Sequence, residues 1–167
     1  DSSTSRGLGD VYKRQVYPYQ IDQNCFPHGG DFLENGYTTE ELKLIDETRK
    51  IFNDSSIKIT ATVVRIPVVG GHSESINVET HKPFQIEEVK KTLINTDGVK
   101  VQDNPSKFDY PMPITAHNKN DVFVGRIRKD ETVENGLNIW IVADNLRKGA
   151  ATNAVQIADY IFKKNLL

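Results

Sequence analysis

The stretch from Val63 to Glu79 constrains the fold more than any other part of this 167-residue chain. It consists of an apolar strand pattern that includes Arg65, a glycine-rich turn that includes His72, and a second alternating segment. An arginine in an apolar strand is costly to desolvate unless it meets an anion. Two glycines let the backbone approach a ligand closely, and histidine titrates near neutral pH. The stretch therefore predicts an anion-binding arginine and an acid–base histidine in one pocket.

Plainer interpretations of the same residues stay open when they are taken alone. Arg65 is equally compatible with a structural ion pair to Glu74 or Glu79 on a neighbouring strand. A single histidine such as His72 is more often a turn residue than a base. The pocket therefore needs support from the rest of the chain.

The composition indicates one ordinary globular domain and excludes several classes of function. Hydrophobic residues make up 37%, charged residues 26%, and the net charge is −2, so nothing favours binding to nucleic acid. The single cysteine excludes a disulfide framework and a cysteine-rich metal site, and the histidines lack metal-ligand spacing. No run reaches the ~18 apolar residues of a membrane span, and no apolar signal-peptide segment is present. We expect a cytoplasmic protein without a metal site or a membrane partner.

Helix and strand patterns are mixed along the chain, which predicts an α+β fold. Three segments have the apolar period of a helix: 38–53, 86–95 and 150–163. Thr38 and Glu41 predict a capping box at the start of the first, and residues 144–149 predict a polar turn before the last. Five segments have strand patterns: 57–68, 72–80, 99–102, 122–128 and 137–143. We expect the first two strands to pair or to be neighbours, and the almost entirely apolar 137–143 to be central. Because strands and helices do not alternate regularly, we predict a mixed, largely antiparallel sheet covered by helices.

The first 15 residues differ from the rest of the chain. They follow neither a helix nor a strand period and contain few apolar side chains. We interpret residues 1–15 as a foreign or disordered tail, with the domain beginning at residue 16.

Four blocks in order resemble the C-terminal half of aspartate-semialdehyde dehydrogenases: 34–43, 65–75, 124–128 and 144–158. The similarity covers residues 16–167. It implies that 16–143 form a catalytic and dimerisation domain, similar to the C-terminal domain of glyceraldehyde-3-phosphate-dehydrogenase-like enzymes. It also implies that the helix in 144–167 packs on an NADP-binding domain.

The resemblance implies a cytoplasmic homodimer that reduces L-aspartyl phosphate with NADPH to L-aspartate 4-semialdehyde, in lysine, methionine and threonine biosynthesis. A cysteine thiolate attacks the acyl phosphate, and hydride reduces the thioester. The implied roles are general acid–base for His72, carboxylate binding for Arg65, amino-group binding for Glu40, phosphate binding for Lys43 and cofactor contact for Asn145. These residue types suit those tasks. Without the resemblance, Glu40 and Lys43 are an ordinary solvated i,i+3 pair.

Cys25 does not match the family's nucleophile. It follows an asparagine, as that nucleophile does, but the next residues are Phe26-Pro27-His28, and it lies only nine residues before Glu34. We interpret Cys25 as a packing residue, because free cysteine behaves as a small hydrophobe. The nucleophile and the glycine-rich cofactor loop are absent from the sequence, so the isolated chain is expected to be inactive.

Two alternatives remain. One is a fragment of the related N-acetyl-glutamyl-phosphate reductase, although an acetylated amino group needs no carboxylate partner such as Glu40. The other is a non-catalytic dimerisation or binding module.

Overall fold

The computed structural model describes residues 17–166, which divide into two compact units between Pro67 and Val68. The division falls between Arg65 and His72, so these two predicted site residues belong to different units. The predicted tail, 1–15, lies outside the described residues. No helix within residues 17–166 has the length and apolar character needed to cross a membrane.

Helix α1, Thr39–Phe52, confirms the helix predicted at 38–53. Its first turn is held by a capping box in which Thr38 Oγ1 accepts from Glu41 N–H and the Glu41 carboxylate accepts from Thr38 N–H. The predicted apolar stripe is only half right: Ile45 is buried, whereas Ile51 and Phe52 are 80% and 68% exposed. Helical spacing places residues on one face, but nothing in residues 17–67 covers the end of that face.

The prediction of a regular strand at 57–68 is wrong. Residues 57–66 alternate between half-buried and exposed, as a strand does, but within residues 17–166 their only β contact is an isolated bridge between Phe26 and Arg65. Arg65 N–H donates to Phe26 O at 2.7 Å, and Phe26 N–H donates to Arg65 O at 3.0 Å. A ladder needs a neighbouring strand, and residues 17–67 place only this one residue opposite the segment. The segment is therefore extended chain with a single β contact.

Phe26, rather than Cys25, is the packing residue of the N-terminal loop. Phe26 is buried, and its ring lies 5.6 Å from that of Tyr17 and 6.3 Å from that of Tyr19. Cys25 is exposed, so the prediction that it packs is wrong. Because Phe26 also makes the bridge to Arg65, the side chain of Phe26 takes the buried position and that of Cys25 faces solvent.

Residues 68–166 form a four-stranded sheet with helices. The elements are β1 His72–Glu79, α2 Ile86–Ile94, β2 Val99–Val101, a 3-10 turn Pro105–Lys107, α3 Pro113–Ala116, β3 Val122–Asp130, β4 Gly136–Ala143 and α4 Ala151–Lys163. The strand order is β1-β4-β3-β2, with β1–β4 and β4–β3 antiparallel and β2–β3 parallel. The mixed, largely antiparallel α+β sheet and the central position of β4 are confirmed. The neighbour of β1 is β4, not the segment before it as predicted.

The core lies between the sheet and α2. Val124, Ile127 and Leu137 are buried there, and Val89 and Leu93 of α2 pack against them. The short helix α3 contacts β4. The strands therefore present one face to α2, and β4 is also held by α3.

A buried carboxylate holds the irregular part of β3. The register of β3 against β4 shifts between Gly125 and Arg128, and Arg126 has a positive φ of 53°. Asp103, whose side chain is 3% exposed, accepts from Arg126 N–H at 2.7 Å and pairs with Lys90 Nζ at 2.7 Å. This side chain thus ties α2 to the bulge.

Removal of Asp103 should destabilise residues 68–166. Asp103→Ala leaves Arg126 N–H and Lys90 without their partner, and we expect the free energy of unfolding to fall by about 2 kcal/mol. Trp140, the only tryptophan, makes fluorescence during urea unfolding a suitable measurement.

Asp121→Ala is the matched control, because Asp121 pairs with Lys100 at 3.1 Å with side chains 62% (Lys100) and 28% (Asp121) exposed. A solvent-exposed pair contributes under about 1 kcal/mol. Equal losses for the two variants would contradict the proposed role of Asp103.

Glu41 should make the stability of residues 17–67 depend on pH. The hydrogen bond from Val63 N–H, followed by that from Thr38 N–H, holds the pKa of Glu41 below its ordinary value of 4.5. A lowered folded pKa means that the stabilisation is fully present above pH 4.5 and is lost as the pH falls through the folded pKa. Glu41→Gln should therefore lower the melting temperature at neutral pH, with a gap to wild type that narrows in acid.

The helical circular dichroism signal of the chain, to which α1 contributes, measures the melting temperature of each variant at each pH. Glu47→Gln, an exposed glutamate on the same helix, is the control and should leave the melting temperature unchanged. A gap for Glu41→Gln that is the same at neutral and acid pH would argue against the carboxylate as its source.

Candidate functional site

Arg65 is half-buried and lies beside a glycine. A Cβ at Gly29 would collide with Val63 Cγ1 at 2.7 Å and touch Arg65 Nη2 at 3.5 Å, so the glycine lets the backbone pass close to both side chains. Within residues 17–67, no carboxylate lies within ion-pair distance of the guanidinium. Among the described residues of its unit, 17–67, the guanidinium therefore has no anionic partner, while the alternative ion pairs with Glu74 or Glu79 stay open.

Glu40 and Lys43 lie in the first turns of α1. Glu40 is half-buried and Lys43 is exposed. Gly30 has a positive φ of 77°; a Cβ there would collide with Thr39 Oγ1 and approach Glu40 Cγ to 3.3 Å. The loop at Gly30 therefore passes so close to the start of α1 that a side chain there has no room beside Thr39 and the base of Glu40.

The glycine pair Gly29–Gly30 brings two predicted site residues beside one backbone segment. Gly29 lies against Arg65, and Gly30 lies against Glu40. A guanidinium and a carboxylate so placed have the charges to bind the carboxylate and amino group of an amino acid. Sequence reasoning missed this pair, although two successive glycines are a signal of close backbone approach.

Glu41 positions the start of α1, the helix that carries Glu40 and Lys43. It is 6% exposed, and its two carboxylate oxygens accept from Thr38 N–H at 2.8 Å and Val63 N–H at 2.9 Å. The sequence predicted its capping role but not the bond to Val63, which lies 22 residues away. This bond ties the start of α1 to the segment that leads to Arg65.

His72 and Asn145 lie next to each other in the second unit. His72, the first residue of β1, is opposite Ala143, the last residue of β4, and Asn145 follows two positions later. Asn145 Nδ2 lies 3.4 Å from His72 Nε2, so the amide donates when that nitrogen carries no proton. Both side chains are exposed. Their proximity fits one site, while their chemical roles stay predictions.

Asp144 anchors the turn that presents Asn145. Its side chain is buried and accepts from Asn118 N–H at 2.7 Å and Leu146 N–H at 2.9 Å. The pKa of Asp144 is lowered, chiefly by the hydrogen bond from Asn118 N–H. The sequence predicted a polar turn here but not that this carboxylate is buried, because its partner at Asn118 is 26 residues away.

The helix predicted at 150–163 is confirmed as α4, but no residue within 68–166 covers its apolar face. Val155 is 69% exposed, and none of the helix is buried within residues 68–166. Its packing on another domain stays a prediction.

A separate open groove of about 450 Å³ lies beside the sheet. Its lining includes Arg126, Arg128, Met112 and Trp140 but none of the five predicted site residues. It is therefore not part of the candidate site.

The comparisons with known proteins agree on one family. A model described as "Semialdehyde dehydrogenase, dimerisation domain" matches residues 3–148, starting inside the predicted tail. Aspartate-semialdehyde dehydrogenase of Aquifex aeolicus is 56% identical over 95% of this chain and 46% of its own length. The Bacillus subtilis enzyme is 49% identical over 89% of this chain and 43% of its own length.

Solved structures give the same result. The structure of aspartate semialdehyde dehydrogenase II from Vibrio cholerae, complexed with ASA, has a TM-score of 0.85 and 46% identity over 89% of this chain and 44% of its own. The Candida albicans enzyme with NADP has a TM-score of 0.70 and 26% identity over 88% of this chain and 46% of its own. The chain spans about half the length of these relatives. Because the family model matches most of its residues, the chain belongs to the semialdehyde dehydrogenase family, in the part that forms the dimerisation domain.

Proposed function

We propose that this chain is the C-terminal half of a cytoplasmic, homodimeric, NADP-dependent aspartate-semialdehyde dehydrogenase. The enzyme would convert L-aspartyl phosphate to L-aspartate 4-semialdehyde for lysine, methionine and threonine biosynthesis. The observation that carries the proposal is the 56% identity to the Aquifex aeolicus enzyme over 95% of the chain. The Vibrio cholerae relative, complexed with ASA, supports the substrate class.

Three residues of the first unit, which ends at Pro67, bind the substrate. Arg65 offers two parallel N–H donors to a carboxylate, and Glu40 offers an acceptor to an ammonium group. Their common contact with Gly29–Gly30 supports this division of roles. Lys43, exposed one turn after Glu40, supplies a mobile positive charge for phosphate.

His72 is the group that moves a proton. Its Nε2 is within reach of one amide, and its side chain is open to solvent at the start of β1. The Asn145 amide donates to the lone pair of neutral Nε2 and so orients the ring; when Nε2 takes up a proton, that N–H donates instead, with the amide oxygen as its acceptor. A base placed in this way suits activation of a thiol and protonation of a leaving oxygen.

The chain's own residues fit part of an NADP site. Asn145 is an exposed amide at 3.4 Å from His72, and an amide side chain has the donor and acceptor that a carboxamide group requires. When bound, NADPH supplies the hydride. Asn145 would hold the cofactor's amide group beside the histidine, and the Candida albicans relative with NADP supports this choice of cofactor.

The nucleophile is expected in the half of the enzyme that precedes these residues. The exposed apolar face of α4 is a suitable surface for packing on that half, because uncovered apolar surface favours burial. Each relative named above is an aspartate-semialdehyde dehydrogenase, which favours this substrate over N-acetyl-glutamyl phosphate.

Activity should require the upstream half. The isolated 167-residue chain should not reduce NADP with aspartate semialdehyde and phosphate, because its single cysteine, Cys25, does not match the family's nucleophile; the complete enzyme, expressed from the extended gene, should. Formation of NADPH measures both. A complete chain that folds but gives no NADPH would favour the non-catalytic dimerisation module, and activity only with N-acetylated glutamate semialdehyde would favour the reductase.

Loss of His72 should stop turnover without unfolding the enzyme. In the complete enzyme, His72→Ala should lower kcat by about 10²–10⁴-fold, the usual contribution of a positioned acid–base group. The melting temperature should change little, because the side chain is exposed. His81→Ala, at an exposed histidine just after β1, is the control and should keep wild-type kcat. A wild-type rate for His72→Ala would refute its role as the base.

A further inference from the structure

A second histidine, His117, lies behind the turn that leads to His72. It follows α3 and is half-buried, with a side chain that is 39% exposed. The proposed reaction does not use it, and the sequence marks it only as a histidine without metal-ligand spacing. Its surroundings nevertheless link it to the candidate site.

The imidazole of His117 is packed directly against Gly70. Gly70 has a positive φ of 63°, and a Cβ there would collide with His117 Nδ1 and come within 2.7 Å of Cε1. The next residue, Gly71, lies against Ala143 O, to which a Cβ would approach within 2.7 Å. The two residues before His72 are thus enclosed by the His117 ring and by the end of β4.

The ring in turn rests on Asp144. His117 Nδ1 is 3.5 Å from Asp144 Oδ2, a distance at which the two groups touch. Nδ1 is inaccessible to solvent, yet across residues 17–166 it has no partner with hydrogen-bond geometry. Asp144 already accepts from Asn118 N–H and Leu146 N–H. The contact therefore places the ring by packing rather than by a well-formed hydrogen bond.

The contacts of Asp144 and His117 therefore involve the turns on which both Asn145 and His72 lie. Asp144 fixes the turn that presents Asn145, and His117, held against Asp144, fixes the turn that presents His72. A buried polar atom without a hydrogen bond needs a structural explanation. The close packing of the His117 ring against Gly70 and Asp144 provides one.

We propose that His117 is a positioning residue for His72: its ring, resting on Asp144, holds the Gly70–Gly71 turn and thereby sets the position of the catalytic histidine. The proposal rests on the proposed function only where it concerns turnover. The geometric part concerns residues 68–166 alone.

Two variants separate the ring from its nitrogens. His117→Ala removes the ring and leaves a space beside Gly70, so the turn and His72 should shift. His117→Phe keeps an aromatic ring at that place and loses both ring nitrogens, of which the buried Nδ1 has no partner with hydrogen-bond geometry within residues 17–166, so the change should be close to neutral. Lys119→Ala, at an exposed side chain two residues further on, is the matched control.

The first test uses the 167-residue chain and does not depend on activity. The ¹H–¹³C resonance of the His72 ring, assigned with His72→Ala, is followed over a pH titration. It should move in His117→Ala, stay near wild type in His117→Phe and be unchanged in Lys119→Ala. An unchanged His72 resonance in a folded His117→Ala chain overturns the proposal, as does a shift of equal size in His117→Phe.

The second test measures kcat and KM in the complete enzyme. Because a displacement of about 1 Å costs up to ~10²-fold in rate, His117→Ala should lower kcat roughly ten-fold with KM nearly unchanged. His117→Phe should restore most of the rate. A lower melting temperature with wild-type kcat would mean a purely structural role and overturn the proposal. An inactive wild type would refute the proposed function, and the resonance test would still decide the position of His72.

Discussion

The antiparallel pairing of β1 with β4 is the constraint on which the His72–Asn145 pair depends. It sets His72 opposite Ala143, so that Asn145 comes within 3.4 Å of a histidine 73 residues earlier in the chain. β4 is hydrogen-bonded on both sides, by β1 and by β3. A side chain at the first position of β1 is therefore open to solvent while its backbone is held by the sheet. Exposure and a fixed position suit the acid–base role proposed for His72.

At three places where the backbone is irregular, a buried carboxylate accepts a hydrogen bond from a distant backbone N–H. Glu41 accepts from Val63 N–H, Asp103 from Arg126 N–H, and Asp144 from Asn118 N–H. In each case the acceptor and the donor are more than twenty residues apart in sequence. A carboxylate has several acceptor positions and can therefore join two segments that have no common ladder. Two of these three carboxylates lie directly beside predicted site residues, Glu41 beside Glu40 and Asp144 beside Asn145.

The elements that the sequence predicted well are those with local signals. The capping box of Thr38 and Glu41 marked the start of α1, and the apolar run at 137–143 identified the central strand. The strand at 57–68 was predicted from the same kind of alternation and is wrong, since alternation describes one segment while a ladder needs a second. Cys25 was misjudged for a related reason: whether it or Phe26 packs depends on the bridge to Arg65. The proximity of His72 and Asn145 fits what the resemblance implies for the candidate site. The signal of the glycine pair, Gly29 and Gly30, was overlooked in the sequence, and the contact of His117 with Gly70 has no local signal.

The sequence by itself determined the α+β class, the positions of the three long helices, and the residue types available for binding anions and moving a proton. These follow from periodicity, from capping and from side-chain chemistry, each of which acts over a few residues or within one side chain. Only the tertiary structure decided that β1 pairs with β4, that Asp144 is buried beneath the turn of Asn145, and that the ring of His117 lies against Gly70. Each of these contacts joins segments more than twenty residues apart, and its formation depends on how the intervening chain folds back, which no local pattern specifies.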